Sequence, residues 1–467
     1  MPKITFMGAG STIFAKNILG DSMCTPALQD SHIALYDIDA ARLKESAQML
    51  GVINRNINQD RARITTHLGR PNRKAALKGA NYVVNAIQVG GYKPCTVTDF
   101  KIPKKYGLRQ TIADTLGIGG IFRSLRTIPV VLDFARDMEQ VCPDAWFLNY
   151  TNPMAMITGG LLEGSGIRAV GLCHSVQGCA GWLLRALGMQ NRGKKLRWHI
   201  AGINHQAWLL EVTNGGRDLY PAIKKKAAEG LAILRKKGPK KVLARARKRD
   251  PENWRDDFLA LMALDMVRLE MMLHFGYYVT ESSEHNAEYV PWFIKRDHPE
   301  LIDEFNIPLD EYPRRCIRQI ANWKKRSHEL VKNPSLTHKR GLEYGSYIME
   351  AIETGQPTRI HGNVLNTGHL ISNLPRRACV EVPCLVDRNG VQGCYVGDLP
   401  EACAALNRTN INVQLLTIDA ALKRKKDYIY QAAMLDPHTA AELTLDQIRA
   451  MCDDLIAAHG KYLPSYK

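Results

Sequence analysis

Cys173 and His174 stand side by side in Val170-Gly171-Leu172-Cys173-His174-Ser175, and a further imidazole, His205, follows in Gly202-Ile203-Asn204-His205. The apolar lead-in reads as a short strand, placing Cys173 and His174 at its carboxyl end, where open α/β sheets bind ligands. Thiolate and imidazole are ligands for a transition metal, and an imidazole exchanges protons near neutral pH. A cysteine there could equally be a small buried hydrophobe. His205, flanked by Gly and Asn in an alternating run, is poorly placed for packing alone, though a hydrogen-bonded core histidine would look the same. Asn149 and Asn152, in Asn149-Tyr150-Thr151-Asn152-Pro153, converge on the same edge and could offer uncharged amides to a polyol. Thr111 to Arg123, which contains Asp114, is Gly-dense and then helical, as a site loop or a plain connection would be.

A second signal lies at the N-terminus. Ile4-Thr5-Phe6-Met7 feeds Gly8-Ala9-Gly10-Ser11, where glycines allow a tight turn and close approach of backbone N–H groups to a pyrophosphate at a helix N-terminus. The third glycine of the usual fingerprint is missing, because Ile13 occupies its place. Asp37, 27 residues beyond Gly10 and at the end of a second apolar run, could accept from ribose hydroxyls and repel a 2′-phosphate, which favours NAD over NADP. A plain turn for the glycines and a helix-end charge for Asp37 are the structural alternatives. Asn85, on the run Tyr82 to Ile87, is a further cofactor-side candidate.

These residues need a sheet to hold them. Candidate strands are Ile4 to Met7, Ile33 to Asp37, Ile64 to His67, Tyr82 to Ile87, Trp146 to Tyr150 and Ala169 to Leu172. Helical stretches such as Ala41 to Asn54 and Leu125 to Glu139 lie between them, the alternation of a doubly wound parallel sheet. The expected class is α/β, with a Rossmann-type, lactate/malate dehydrogenase-like domain over residues 1–195. A C-terminal α+β domain over 196–467 would carry substrate, metal and subunit contacts. Leu196 to Val212 alternates, Arg255 to Phe275 and Leu415 to Met434 have helical spacing, and 363–397 reads as loops and short strands over the site.

The 467 residues, 45% apolar, suffice for one or two substantial cores. A formal charge of +17 could suggest nucleic acid, but much of the excess is clustered at Lys224–Arg249 and Lys324–Arg326. Leu231, Leu234 and Val242 interleave with the lysines of the first cluster, the pattern of a solvated helical face whose stems cover a core; no nucleic-acid partner is expected. The eleven cysteines are scattered without tandem C-x-x-C pairs and read as reduced thiols of a cytoplasmic protein. Met1-Pro2-Lys3 runs straight into a strand ending in glycines, which predicts no secretory leader, and no apolar run is long enough to span a bilayer.

Taken in order, Gly8-Ala9-Gly10-Ser11, the Ala113–Arg123 loop, Asn149-Tyr150-Thr151-Asn152-Pro153, Cys173-His174-Ser175-Val176-Gln177-Gly178, Gly202-Ile203-Asn204-His205 and Val380-Glu381-Val382-Pro383-Cys384 resemble glycoside hydrolase family 4. The Cys-His-Ser-Val-Gln-Gly run points to its α-galactosidase (melibiase) branch. The resemblance implies cleavage of a small-molecule α-galactoside, without the usual pair of carboxylates. NAD⁺ would oxidise carbon 3, a base would take the proton from carbon 2, the leaving group would depart, and water addition and re-reduction would follow. It further implies Mn²⁺ on Cys173 and His205, where ligand softness alone would suggest Zn²⁺ or Fe²⁺. His174 matches the proton donor and Asn152 the substrate-binding asparagine. The base falls in Tyr277 to Tyr289, where Glu281 is favoured ahead of Tyr289 and His285, and Asp114 is a supporting or nicotinamide-side carboxylate. A homo-oligomer, dimer or tetramer, is expected. The rivals are an NAD-dependent 2-hydroxy acid dehydrogenase, which would want a His–Asp pair and an Arg fork for its substrate, and an NAD-sensing module.

Overall fold

Ile4, Thr5, Phe6 and Met7 have no exposed surface, and Val83 and Val84 none either, as the central strands of a sheet covered on both faces require. The structure is a computed structural model describing residues 1–190 and 195–467, with His328 by its backbone only. The six expected strands are β1 (Lys3–Met7), β2 (His32–Asp37), β3 (Arg63–Leu68), β4 (Tyr82–Asn85), β5 (Trp146–Asn149) and β6 (Arg168–Gly171). They pair in parallel in the order β3-β2-β1-β4-β5-β6, the doubly wound dinucleotide-binding topology. Helices Ala40–Asn58 and Gly117–Val141 occupy the two helical stretches expected between these strands, each extending beyond the expected limits. The stretch 255–275 is divided into Phe258–Ala263 and Met266–Phe275, and 415–434 between Glu401–Lys423 and Lys426–Leu435.

The alternating run Leu196–Val212 is a hairpin of β7 (Leu196–Ile203) and β8 (Gln206–Asn214), trimmed by β9 (Arg217–Asp218) and β10 (Tyr278–Val279). The span 363–397 is more regular than its Gly, Pro and Asn content suggests. β11 (Thr358–Leu365) pairs along its whole length with β12 (Cys379–Asp387), and β13 (Gly390–Gly393) follows. The physical reason is the stretch Cys379 to Cys384, apolar but for Glu381 and buried throughout. β11 adds antiparallel to β6, and the sheet continues β6-β11-β12-β7-β8-β10. One sheet therefore runs through the junction at residue 195.

The basic stretch forms the helices Tyr220–Lys237 and Pro239–Arg249. Leu231, Leu234 and Val242 face the core, while Lys225, Lys226, Lys236, Lys237 and Lys241 are exposed, so the charge is a solvated face. All eleven cysteines are free thiols. Among the described residues, no helix is long and apolar enough to cross a membrane.

Candidate active site

The carboxyl ends of the parallel strands converge on two adjoining clusters. At the first, Gly8 takes a φ of +88°, and a Cβ there would lie 2.8 Å from the Ala86 carbonyl, so glycine is required. Gly8 and Ala9 both donate to the Tyr36 carbonyl, and Gly10 donates to Asp37 Oδ2 at 2.6 Å. A Cβ on Gly10 would meet that oxygen at 2.8 Å. Ser11 precedes the helix Thr12–Met23 without capping it through its side chain, which leaves its hydroxyl and the helix N-terminus open to an anion. This cradle fits a dinucleotide pyrophosphate. Asp37 is committed in part to the protein, its other oxygen accepting from the Asp39 N–H. Buried Asn85 donates to Asn149 and Thr151, and among the described residues its Oδ1 has no partner.

Asn149 departs from expectation. It is fully buried, accepts from Asn85 and the Thr151 N–H, and donates to Thr151 and Thr158. Both ends of its amide are used internally, so it braces the turn after β5 and does not face a ligand. Among the described residues, the buried Oδ1 of Asn152, three residues on, has no partner.

The second cluster is the sulfur–imidazole pair. Cys173, just past β6, brings Sγ to 3.2 Å from Nε2 of His205, in the turn between β7 and β8. A shared ion is feasible at that spacing. His205 Nδ1 lies 3.5 Å from the Tyr289 hydroxyl, an orienting contact of the kind metal-bound imidazoles use. Asp114, His205 and His285 each offer a ligand atom, all within 4.8 Å of one another. Burial opposes a charge on His205, but the Cys173 sulfur and the Glu281 and Asp114 carboxylates outweigh it and push the ring up to about 10. A site that draws protons onto an imidazole in this way attracts positive charge, and sulfur, imidazole and carboxylate donors suit a divalent cation.

Glu281 and His285 come from the segment after β10. Glu281 Oε1 is 3.5 Å from His285 Nδ1, and His285 Nε2 is 3.7 Å from Asp114 Oδ1. Burial raises the Glu281 carboxyl, yet His285, His205 and Arg268 bring it below its ordinary value, so it is ionised at neutral pH. His285 is held neutral by burial, against the pull of Glu281 and Asp114. Glu281 has a φ of +66° and Ala113, beside Asp114, one of +52°. Such strain in non-glycine residues costs on the order of 1–3 kcal/mol and gathers at functional sites.

His174 is exposed at the mouth of the site, and Nε2 meets both oxygens of Glu343, at 2.7 and 2.8 Å. That hydrogen bond, opposed by partial burial, raises the imidazole above its ordinary value.

Three acids here escape sequence reasoning as site residues. Glu343 is 169 positions from His174 in a polar segment that carries no signal. Glu288 is buried and accepts from the N–H groups of Thr111, Ile112 and Ala113. Glu381 is fully buried beside Asn204 and Asn363, and burial lifts its carboxyl to about 7. A single acid inside Val380-Glu381-Val382 was a readable sign of the last.

Sequence comparison places this architecture in a known class. The family 4 glycosyl hydrolase profile matches residues 3–189, and the family 4 glycosyl hydrolase C-terminal domain profile matches residues 200–439. The chain belongs to the family 4 glycosyl hydrolases. An α-galactosidase of Bacillus subtilis is 59% identical over 467 residues, all of both chains. A putative glucosidase of Bacillus subtilis shares the structure at a TM-score of 0.81 and 26% identity, over 97% of this chain and 99% of that one. A 6-phospho-alpha-glucosidase from gut microorganisms, solved with NAD and Mn²⁺, has the same fold at a TM-score of 0.74 and 20% identity, covering 100% of both chains.

Proposed function

We propose that this chain hydrolyses small-molecule α-galactosides with NAD and Mn²⁺ as resident cofactors. The observation that carries the reading is the 3.2 Å approach of Cys173 Sγ to His205 Nε2, beside a glycine cradle of dinucleotide type. The α-galactosidase relative supports the substrate class, and membership of a hydrolase family sets aside the dehydrogenase and NAD-sensing readings.

Gly8, Gly10, Ser11, Asp37 and Asn85 would hold the dinucleotide. Cys173 and His205 would hold the cation, with His285 and Asp114 within reach. Bound there, the dinucleotide would supply reversible oxidation of a sugar carbinol, and the cation would supply stabilisation of the negative charge that develops on the sugar.

The chain's own residues do the rest. Glu343 engages His174 at Nε2, which leaves Nδ1 to hold and deliver a proton to the leaving oxygen. Glu281, ionised and poorly solvated, takes the proton from the carbon next to the oxidised one. The Tyr289 hydroxyl, 3.5 Å from His205 Nδ1, would orient the ring so that Nε2 faces the cation. Asn152 contacts the sugar through its unpartnered carbonyl oxygen.

A reducing, cytoplasmic setting suits a site that depends on one accessible thiolate. A homo-oligomer, dimer or tetramer, is supported by exposed Ile317 and Ile320 on the helix Glu311–Lys332.

The deciding experiment is turnover of nitrophenyl α-galactoside with NAD⁺, Mn²⁺ and thiol. Galactose should appear with no net NADH, deuterium at carbon 2 should exchange with solvent, and Glu281→Gln should slow that exchange by roughly 10²–10⁴-fold. Stoichiometric NADH, or full retention of the label, would falsify the reading. A larger loss in Tyr289→Phe than in Glu281→Gln would move the base to the phenol.

A further inference from the structure

Glu343, the acid that meets His174, lies in residues 333–343, which run without helix or strand from the helix Glu311–Lys332 to the helix Tyr344–Thr354. A carboxylate on such a segment orients an imidazole only if its own backbone is fixed. Asp21, on the helix Thr12–Met23, has no exposed surface and no part in the reaction described above. Its Oδ1 accepts the Gly341 N–H at 2.8 Å and lies 2.6 Å from His338 Nε2. Lys16 Nζ stands 3.4 Å from Nδ1 of the same ring, so Nδ1 accepts from the ammonium and Nε2 donates to Asp21. Gly20 makes room for this contact, because a Cβ there would lie 2.7 Å from the His338 ring. Asn56, on the helix Ala40–Asn58, ties down the start of the segment by donating to the Pro334 and Leu336 carbonyls, at 2.9 Å each.

Glu343 is pinned on both sides. Two residues before it, Gly341 gives its N–H to Asp21 and takes the Tyr347 hydroxyl on its carbonyl at 3.0 Å. Two residues after it, the Gly345 N–H donates to the Tyr150 hydroxyl at 2.8 Å. The Tyr150 ring in turn packs edge-on against Phe14, with centroids 4.8 Å apart. Asp21 and Phe14 belong to the same helix, so both anchors trace to the element that begins at the dinucleotide cradle.

Two residues of chain reach no further than about 7 Å, so a displaced anchor moves the Glu343 carboxylate. That carboxylate meets His174 Nε2 at 2.7 and 2.8 Å, and a hydrogen bond of this length is lost within a shift of about 1 Å. We propose that Asp21 and His338 form a latch that positions Glu343, and through it His174, for protonation of the leaving oxygen. Asp21 touches no reacting atom and is a positioning residue. The assignment rests on the α-galactosidase reading, with His174 as proton donor.

Kinetics of the holoenzyme on methyl and nitrophenyl α-galactoside separate this role from a merely structural one, because methoxide needs a proton to leave and nitrophenolate largely does not. Gly20→Ala sets a methyl group against the His338 ring while favouring the helix that carries it. Asp21→Asn removes the charge that both donors meet. Each should lower kcat/KM for methyl α-galactoside by about ten-fold and leave that for nitrophenyl α-galactoside within about two-fold, a pattern that Glu343→Gln should show more strongly. Gly20→Ala alone decides the matter if Asp21→Asn does not fold. A selective loss in Glu343→Gln, with equal losses on both substrates or none in Gly20→Ala, overturns the latch and leaves the proton donor in place. No selective loss in Glu343→Gln sinks the proton-donor assignment, and no turnover of either galactoside by the parent enzyme sinks the α-galactosidase reading; the latch falls with either.

Discussion

The carboxylate of Glu288 accepts the backbone N–H of Ala113 at 2.7 Å, and it also takes those of Thr111 and Ile112. One buried side chain from the segment after β10 thereby shapes the loop that delivers Asp114 to the metal-ligand cluster. Glu288 touches no reacting atom, so it is a positioning residue.

Replacing Glu288 by Gln leaves one acceptor oxygen where there were two and puts an amide N–H against backbone N–H groups. Burial pushes the Glu288 carboxyl up to about 8, against the three N–H groups that favour its ionised form; loss of a buried hydrogen-bond network of this kind should cost roughly 2 kcal/mol of stability, read by urea denaturation. It should also lower kcat more than it raises KM for the galactoside. Unchanged stability and kcat would mean that the loop holds its shape without the carboxylate.

The His174–Glu343 pair makes a pH prediction. Glu343 raises the imidazole above its ordinary value, so the proton-donating form persists to higher pH than a free histidine allows. The acid-dependent arm of kcat/KM should therefore lie above the ordinary histidine value, with activity falling as pH rises through it. Glu343→Gln removes the charge that holds the proton, and that arm should move to lower pH. An arm that stays in place would assign the proton donor elsewhere.

Cys173→Ser exchanges a thiolate for a hydroxyl that is neutral at working pH. Manganese content after gel filtration should fall by at least ten-fold, since even outer-shell changes cost 10–100-fold. Dinucleotide affinity, set about the Gly8–Gly10 turn, should stay within a few-fold by calorimetry. Normal metal content combined with lost NAD binding would refute the ligand assignment.

Much of the fold was legible locally. Each of the six parallel strands fell within about two residues of its expected limits, because five are largely apolar runs that say both "strand" and "buried" without reference to the rest of the chain, while the edge strand β3, Arg-Ile-Thr-Thr-His-Leu, is not buried and reads as strand through its β-branched residues. The span 363–397 was not, since Gly and Pro there disguise a hairpin that exists because β12 finds β11 and β7 on its two sides. Among site residues, Cys173, His174 and His205 stood out through type and position beside glycine-rich turns. Asn149 looked equally suitable from its neighbours, and only the burial of both ends of its amide shows it to be a brace.

The sequence by itself determined the dinucleotide-type sheet, the sulfur and imidazole donors and the membership of a hydrolase family, because strand periodicity, turn glycines and ordered motifs are properties of short stretches. Tertiary structure alone decided which acids serve those donors. Glu343 reaches His174 across 169 positions, Glu288 reaches Ala113 across 175, and Asp114 meets His285 only because two distant loops fold over one sheet edge. Such pairings depend on how the chain closes on itself, and no local pattern records them.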